Sequence, residues 1–123
     1  NVTATTPAAT GGIHLQGPID DATIKNCRVM GNFNPSAVKS TLAPPLNLVM
    51  LDNHISNSRS IASGCVSMVA VGTVLATGEA RNNTGYCAIP LPAAPATFGN
   101  MACYNNYFQA SLLLSGMLYP GTV

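Results

Sequence analysis

Charge is what this sequence has least of. Asp, Glu, Lys and Arg make up 7% of its 123 residues, where about 25% is usual, and none of the four occurs after Arg81. Five scattered cations, Lys25, Arg28, Lys39, Arg59 and Arg81, leave a formal net charge of +1. That excludes an electrostatic footprint for nucleic acid, which needs clustered cations to displace counterions. Charge-driven disorder is excluded as well, because 47% of the chain is hydrophobic and nothing in it repels. Tryptophan is absent. No apolar run reaches the ~20 residues of a spanning helix, so no transmembrane segment is expected. There is no C-x-x-C pair and no Gly-rich loop followed by lysine, and neither His14 nor His54 sits near a cysteine in zinc-like spacing. No metal or cofactor is expected.

What remains is a small chain rich in Thr, Ala, Asn and Val, of a size that suits one domain. Its four cysteines, Cys27, Cys65, Cys87 and Cys103, allow three pairings. Two disulfides are expected, with nearest neighbours joined, Cys27 to Cys65 and Cys87 to Cys103. Loops of that length contribute about 3–4 kcal/mol each in the chain-entropy picture. Disulfides imply an oxidising compartment, extracellular or at the cell surface. The chain opens on Asn1 without methionine or signal peptide, as a processed secreted chain does. Two glycosylation sequons begin at Asn1 and Asn82.

Along the chain no clear internal repeat stands out. Residues 1–12, small and Thr/Ala-rich, read as an extended arm ahead of a single β-rich domain over 13–123. Ile13 and Leu15 alternate with His14 and Gln16, giving a strand interrupted at Gly17-Pro18. Asp20 or Asp21 could cap a short helix, but Thr23, Ile24 and Val29 favour a strand. Pro44-Pro45 exclude a helix ahead of the apolar run Leu46–Leu51. The segment from His54 to Gly64 reads as polar turn, and the one from Glu79 to Tyr86 as a loop. Cys65–Gly78 is apolar on both faces, which suits a central buried strand with a kink at Gly72. Pro90, Pro92 and Pro95 mark extended chain. Phe108 to Tyr119 alternates as a terminal strand, with Leu113 and Met117 on a second face that also needs cover. The fold class expected is all-β, a small sandwich.

Candidate chemistry is thin. Asp52, His54 and Ser56 stand two residues apart, which lets them share one face of a strand, but the segment reads as a loop without a nucleophile elbow. The carboxylates Asp20 and Asp21 point to opposite sides of any strand. No catalytic residues are assigned and no enzyme is expected. Tyr104, Asn105, Asn106 and Tyr107 combine rings with amides, a set suited to contacts with a sugar ligand.

The stretch Gly11, Gly12, Ile13, His14, Leu15, Gly17, Ile19 and Cys27 resembles the start of chaperone–usher fimbrial subunits, or pilins. There a Thr/Ala-rich arm precedes Gly-Gly, a first strand and a first cysteine, and a second cysteine such as Cys65 follows some forty residues later. The short chain, the pair Cys87 and Cys103 and the Pro-rich stretch depart from that pattern. The resemblance implies an incomplete immunoglobulin-like sandwich completed by a strand from the next copy. The donor would be the arm, with Val2, Ala4, Thr6 and Ala8 at the subunit interface, and an assembly chaperone would be a further partner. The function expected is a structural subunit of an extracellular filament whose partners are copies of itself. The alternatives are a secreted adhesin or lectin-like module, and the globular domain of a type IV pilin or pseudopilin.

Overall fold

In a computed structural model, residues 1–9, 11–59, 64–88 and 96–110 are described. Among them there are thirteen strands and no helix. In chain order these are β1 Val2–Ala9, β2 Ile13–Gln16, β3 Thr23–Lys25, β4 Arg28–Phe33, β5 Ser36–Thr41, β6 Leu48–Leu51 and β7 His54–Asn57. There follow β8 Gly64–Ser67, β9 Gly78–Arg81, β10 Thr84–Cys87, β11 Ala96–Thr97, β12 Ala102–Tyr104 and β13 Tyr107–Ala110. The all-β expectation holds.

The sandwich does not. Each of β1 to β10 pairs in parallel with the strand three places on, giving three sheets of order β1-β4-β7-β10-β13, β2-β5-β8-β11 and β3-β6-β9-β12. An immunoglobulin-like sandwich is antiparallel. Here the chain winds through the three sheets in turn and returns one strand higher, at roughly 4.8 Å per turn. The result is a β-solenoid-like stack, in which each coil buries its apolar side against the coils above and below. This coil is an internal repeat that does not stand out in the sequence.

The turn from the third sheet back to the first explains why the chain repeats. Asn26, Asp52, Asn82 and Asn105 all have φ between 50° and 56°, a left-handed conformation that Asn and Asp tolerate better than other side chains. Each is followed by one residue facing inward, Cys27, Asn53, Asn83 or Asn106, and then by a strand of the first sheet. Asn53, Asn83 and Asn106 are fully or almost fully buried and stack into a ladder. The Asn53 amide donates to the Ile24 carbonyl at 2.9 Å and to Asn83 Oδ1 at 2.8 Å. The Asn83 amide donates to the Met50 carbonyl at 3.0 Å and to Asn106 Oδ1 at 2.8 Å, and the Asn106 amide to the Ala80 carbonyl at 2.8 Å. A buried amide is tolerated only when its donors and acceptors are met, and the stack meets them by repetition.

Inside the coils lie Val29, Phe33, Val38, Leu48, Met50, Ile55, Val66 and Phe108. Gly85 shows how closely the coils approach. It sits in register between Ile55 and Phe108, where a Cβ would run into the Ile55 carbonyl and the Phe108 ring.

Three further expectations change. His54–Asn57 and Thr84–Cys87 are strands rather than loops; His54, Ser56, Thr84 and Tyr86 face outward while Ile55, Asn57, Gly85 and Cys87 face in. The stretch expected as one central strand is strand only over Gly64–Ser67. Beyond it the chain leaves the sheet and folds back at Gly72 (φ 61°) through a Val71–Val74 bridge, with Val71, Val74 and Leu75 exposed. Of the terminal strand, Tyr107–Ala110 is seen as β13; Leu113, Met117 and Tyr119 lie outside the described residues, as do Pro90, Pro92 and Pro95.

The disulfides also differ. Cys65 in β8 is joined to Cys87 at the end of β10, with their Cα atoms 5.9 Å apart, and Cys27 and Cys103 are free thiols. Cys87 and Cys103 lie on different sheets of one coil, and Cys27, at the turn into β4, and Cys65, in β8, lie on different coils, whereas Cys65 and Cys87 occupy buried positions on successive coils. Cys27 follows β3 and Cys103 lies in β12, with β6 and β9 between those strands. At ~4.8 Å per strand the two thiols are roughly three spacings apart, beyond the Cα separation a disulfide allows.

Candidate functional site

Parallel, in-register pairing turns each outward position of a strand into a row that crosses the sheet. On the first sheet one row runs Arg28, His54, Thr84, Tyr107. The next runs Thr3, Met30, Ser56, Tyr86, Gln109. Their inward neighbours Val29, Ile55, Gly85 and Phe108 are buried, so the rows project from a rigid base. Along the second row lies a groove of about 410 Å³ lined by Thr3, Met30, Ser56 and Tyr86 of that row together with Gly31 and Ser58.

Hydrogen bonds fix the centre of this face. His54 Nε2 is 3.0 Å from Ser56 Oγ, and His54 Nδ1 is 3.0 Å from Thr84 Oγ1. Next to them in register, Arg28 Nε donates to Met30 Sδ at 2.8 Å. The sequence spacing of Asp52, His54 and Ser56 thus brings two of the three together. Asp52 sits on the turn, where its carboxylate accepts from the Asn82 amide at 3.1 Å. The third position of a relay, beside His54 Nδ1, is filled by a neutral hydroxyl from the next coil. A threonine orients the ring but does not stabilise an imidazolium as a carboxylate does. What the cluster provides is a set of hydroxyls and an imidazole held in fixed directions.

The four residues expected to meet a sugar are divided by the fold. Tyr104 is 53% exposed on the third sheet and Tyr107 40% exposed on the first. Asn105 is the left-handed turn residue and donates to Asn82 Oδ1 at 3.4 Å. Asn106 is fully buried in the ladder and reaches no ligand. The expected ligand patch is mainly a turn motif. Tyr86, 43% exposed, was the aromatic that sequence reasoning passed over. Its signal is that it lies two residues beyond Thr84, as Ser56 lies two beyond His54.

Residues of the expected arm belong to β1, which pairs with β4 of the same chain: Val2 with Val29, Thr3 with Met30 and Ala4 with Gly31, with a register shift before Ala9 meets Phe33. Thr6 and Ala8 fall inside that shift. Val2 packs against the core. The other edge of β1 pairs with no described strand.

Among the described residues there is no cluster of three His, Cys, Asp or Glu side chains able to hold a metal. No described helix is long and apolar enough to cross a membrane. Burial pushes the Cys103 thiol above its ordinary range. No family model, curated protein or solved structure matches the chain.

Proposed function

We propose that the chain is a structural, self-associating segment of an extracellular filament or surface layer, in which coils of one copy stack on coils of the next. The observation that carries this reading is the open end of the stack. β1, β2 and β3 each pair on one side only among the described residues, and β1 and β2 hold no Asp, Glu, Lys or Arg. An uncharged edge strand is a template for another chain, and soluble proteins usually blunt such edges with lysine, proline or a bulge. β1 has Pro7 and a register shift, which block part of it. β2 has neither.

Stacking on that end joins unlike surfaces, and a contact of that kind propagates into fibres. The reading keeps strand complementation between copies but changes its form, from an arm inserted into a neighbour's groove to one coil laid on another. A second exposed surface adds to it. Leu42 and Leu46 follow β5, and Val71, Val74 and Leu75 follow β8, so all five stand at the same corner of successive coils and are exposed. Exposed apolar patches of that kind mark association sites. The disulfide is compatible with secretion.

The test is sedimentation of the wild-type chain and of a His14→Lys/Gln16→Lys double variant, which places two cations on exposed positions of β2. The wild type is expected to form concentration-dependent polymers, visible by negative stain, and the variant to remain monomeric. A wild type that stays monomeric at every concentration, or a variant that polymerises equally well, overturns the proposal.

A further inference from the structure

We infer that the corner between β8 and β9 is a membrane-contact site, whose aliphatic hairpin tip seats in the surface of a lipid bilayer whatever the charge of the lipid. The inference does not rest on stacking, which uses a sheet end. Copies stacked end on end still present this corner.

Three observations carry it. The first is the exposed run. Ala70 to Leu75 are six exposed residues in succession, and Thr73 alone among them has a polar side chain. Leu42 and Leu46 stand at the same corner one coil below, 72% and 38% exposed. A folded chain in water does not keep such a run exposed without a use for it. Leu42 is held out at φ 73°, a left-handed conformation that is costly for a bulky side chain and points to a functional constraint. The second is the backbone. Val71 N–H donates to the Val74 carbonyl and Val74 N–H to the Val71 carbonyl, both at 3.0 Å. The two arms of the tip thus satisfy each other's main chain, as a segment entering lipid must. Its base is tied down as well. Val69 N–H donates to Ser40 Oγ at 2.7 Å, Thr77 N–H to the Pro45 carbonyl at 3.1 Å, and Asn100 N–H to the Ala76 carbonyl at 2.8 Å. A preorganised tip loses little entropy on insertion. The third is charge. Residues 40–51 and 60–78 contain no Asp, Glu, Lys, Arg or His, so no charge has to be desolvated.

The same observations disfavour other occupants. A hairpin tip is a protrusion, whereas small ligands are taken into concave sites. Attraction to anionic headgroups needs clustered cations, and the corner has none. As a contact between two copies it is small. Leu42, Leu46, Val71, Val74 and Leu75, each between 38% and 72% exposed, make a patch of a few hundred Å², short of the ~800 Å² per partner of a stable interface. A bilayer accepts a patch of that size without a matching shape, and binding grows with the apolar area it covers.

The experiment is flotation of the intact chain with vesicles of phosphatidylcholine alone and of phosphatidylcholine with phosphatidylserine, each at low and high salt. Polymers sink and vesicle-bound protein floats, so the outcome is read separately from stacking. The wild type is expected to float with both vesicles, equally at either salt. A Val71→Asp/Val74→Asp double variant is expected to bind at least about tenfold more weakly, and Tyr104→Asp, on the third sheet, as the wild type does. Leu42→Gly removes an apolar side chain where the backbone favours glycine, so it is expected to bind more weakly with no fall in urea midpoint. Circular dichroism of each variant establishes that the fold is kept. The inference is overturned if the wild type floats with neither vesicle, if the double variant floats as well as the wild type, or if flotation needs phosphatidylserine and is lost in high salt. It is also overturned if the wild type forms a dimer without vesicles that the double variant abolishes, which assigns the corner to a second copy.

Discussion

Replacing Asn83 by alanine tests the ladder at its middle. Its Oδ1 accepts from both the Asn53 backbone N–H at 3.2 Å and the Asn53 amide at 2.8 Å. Its amide donates to the Met50 carbonyl and to Asn106. The site is fully buried, so water does not replace what is removed. A buried group left without its partner costs about 1–3 kcal/mol. Two groups are stranded most directly, the Asn53 N–H and the Met50 carbonyl, which gives a loss of about 2–6 kcal/mol. That is a large share of the ~5–15 kcal/mol by which a domain is stable. The assay is urea denaturation followed by circular dichroism, with Asn105→Gly as the comparison. Asn105 is exposed, makes one long hydrogen bond and has a backbone conformation that glycine accepts freely, so its loss should stay within a few tenths of a kcal/mol. Asn83→Asp sharpens the test. Its carboxylate would face two acceptors, the Met50 carbonyl and Asn106 Oδ1, in a buried site. Its folded pKa would be raised, so the variant should be weaker than Asn83→Ala at neutral pH. It should regain stability as pH falls toward the ordinary Asp value of about 4. An Asn83→Ala midpoint equal to that of Asn105→Gly would refute the ladder as a source of stability.

The remaining predictions follow from the same stack. Cys27 holds the ladder position one coil before Asn53, and its backbone N–H already donates to Asn53 Oδ1 at 2.9 Å. Cys27→Asn should add the side-chain bond that Asn53 makes to Asn83 and raise stability by about 0.5–1.5 kcal/mol, read as a higher urea midpoint. Non-reducing peptide mapping should find one bridge, Cys65 to Cys87. Its 22-residue separation makes it worth about 3 kcal/mol by loop closure, and its burial should delay reduction until denaturant is added. Cys27 and Cys103 should alkylate as free thiols, and Cys103 should need a pH above the ordinary thiol range because burial raises its pKa. That raised pKa contributes stability below the ordinary thiol range, and the contribution is lost as pH rises through the folded value. Leu51 lies in register between Lys25 and Arg81. Leu51→Lys should therefore be less stable than Leu51→Glu by about 1–2 kcal/mol at low salt, with the gap closing as salt is added.

Much of the local structure was legible, and the architecture was not. Alternation marked β2 and β13, and Pro44-Pro45 marked the break before β6. Alternation does not say whether the next strand runs parallel or antiparallel, and a sandwich satisfies it as well as a coil does. The telling signal was the pair of residues at Asn26-Cys27, Asp52-Asn53, Asn82-Asn83 and Asn105-Asn106. The inward members recur at separations of 26, 30 and 23 residues, because the connections between sheets differ in length while the turn does not. A search for one fixed period misses that, and a cysteine at the first position hides it further. Asparagine is also ordinarily a surface residue, whereas three of these are among the least accessible side chains described. Of the outer face of the first sheet, His54 and Ser56 were noticed for their spacing. Thr84 and Tyr86 were not, because only the coil brings them beside His54 and Ser56.

The scarcity of charge has a cause within one chain. In an in-register parallel stack a charged side chain meets the same position of the coils above and below at ~4.8 Å. Two like charges at that distance repel by about 1 kcal/mol even in water, and by several at a protein surface. A chain that repeats its coils is therefore driven to neutral outward rows, or to rows in which charges are diluted. The described rows obey this. Arg28 is followed by His54, Thr84 and Tyr107, Lys39 stands between His14 and Ser67, and Leu51 separates Lys25 from Arg81. No two like charges are adjacent in register among them. Low charge therefore does not by itself argue for burial between copies, as composition alone suggests, since the coil accounts for it. Self-association has to rest on geometry instead, on the uncharged edge of β1 and β2 and the exposed corner at Leu42 and Val71, and the edge-charge variant addresses the first of these at β2.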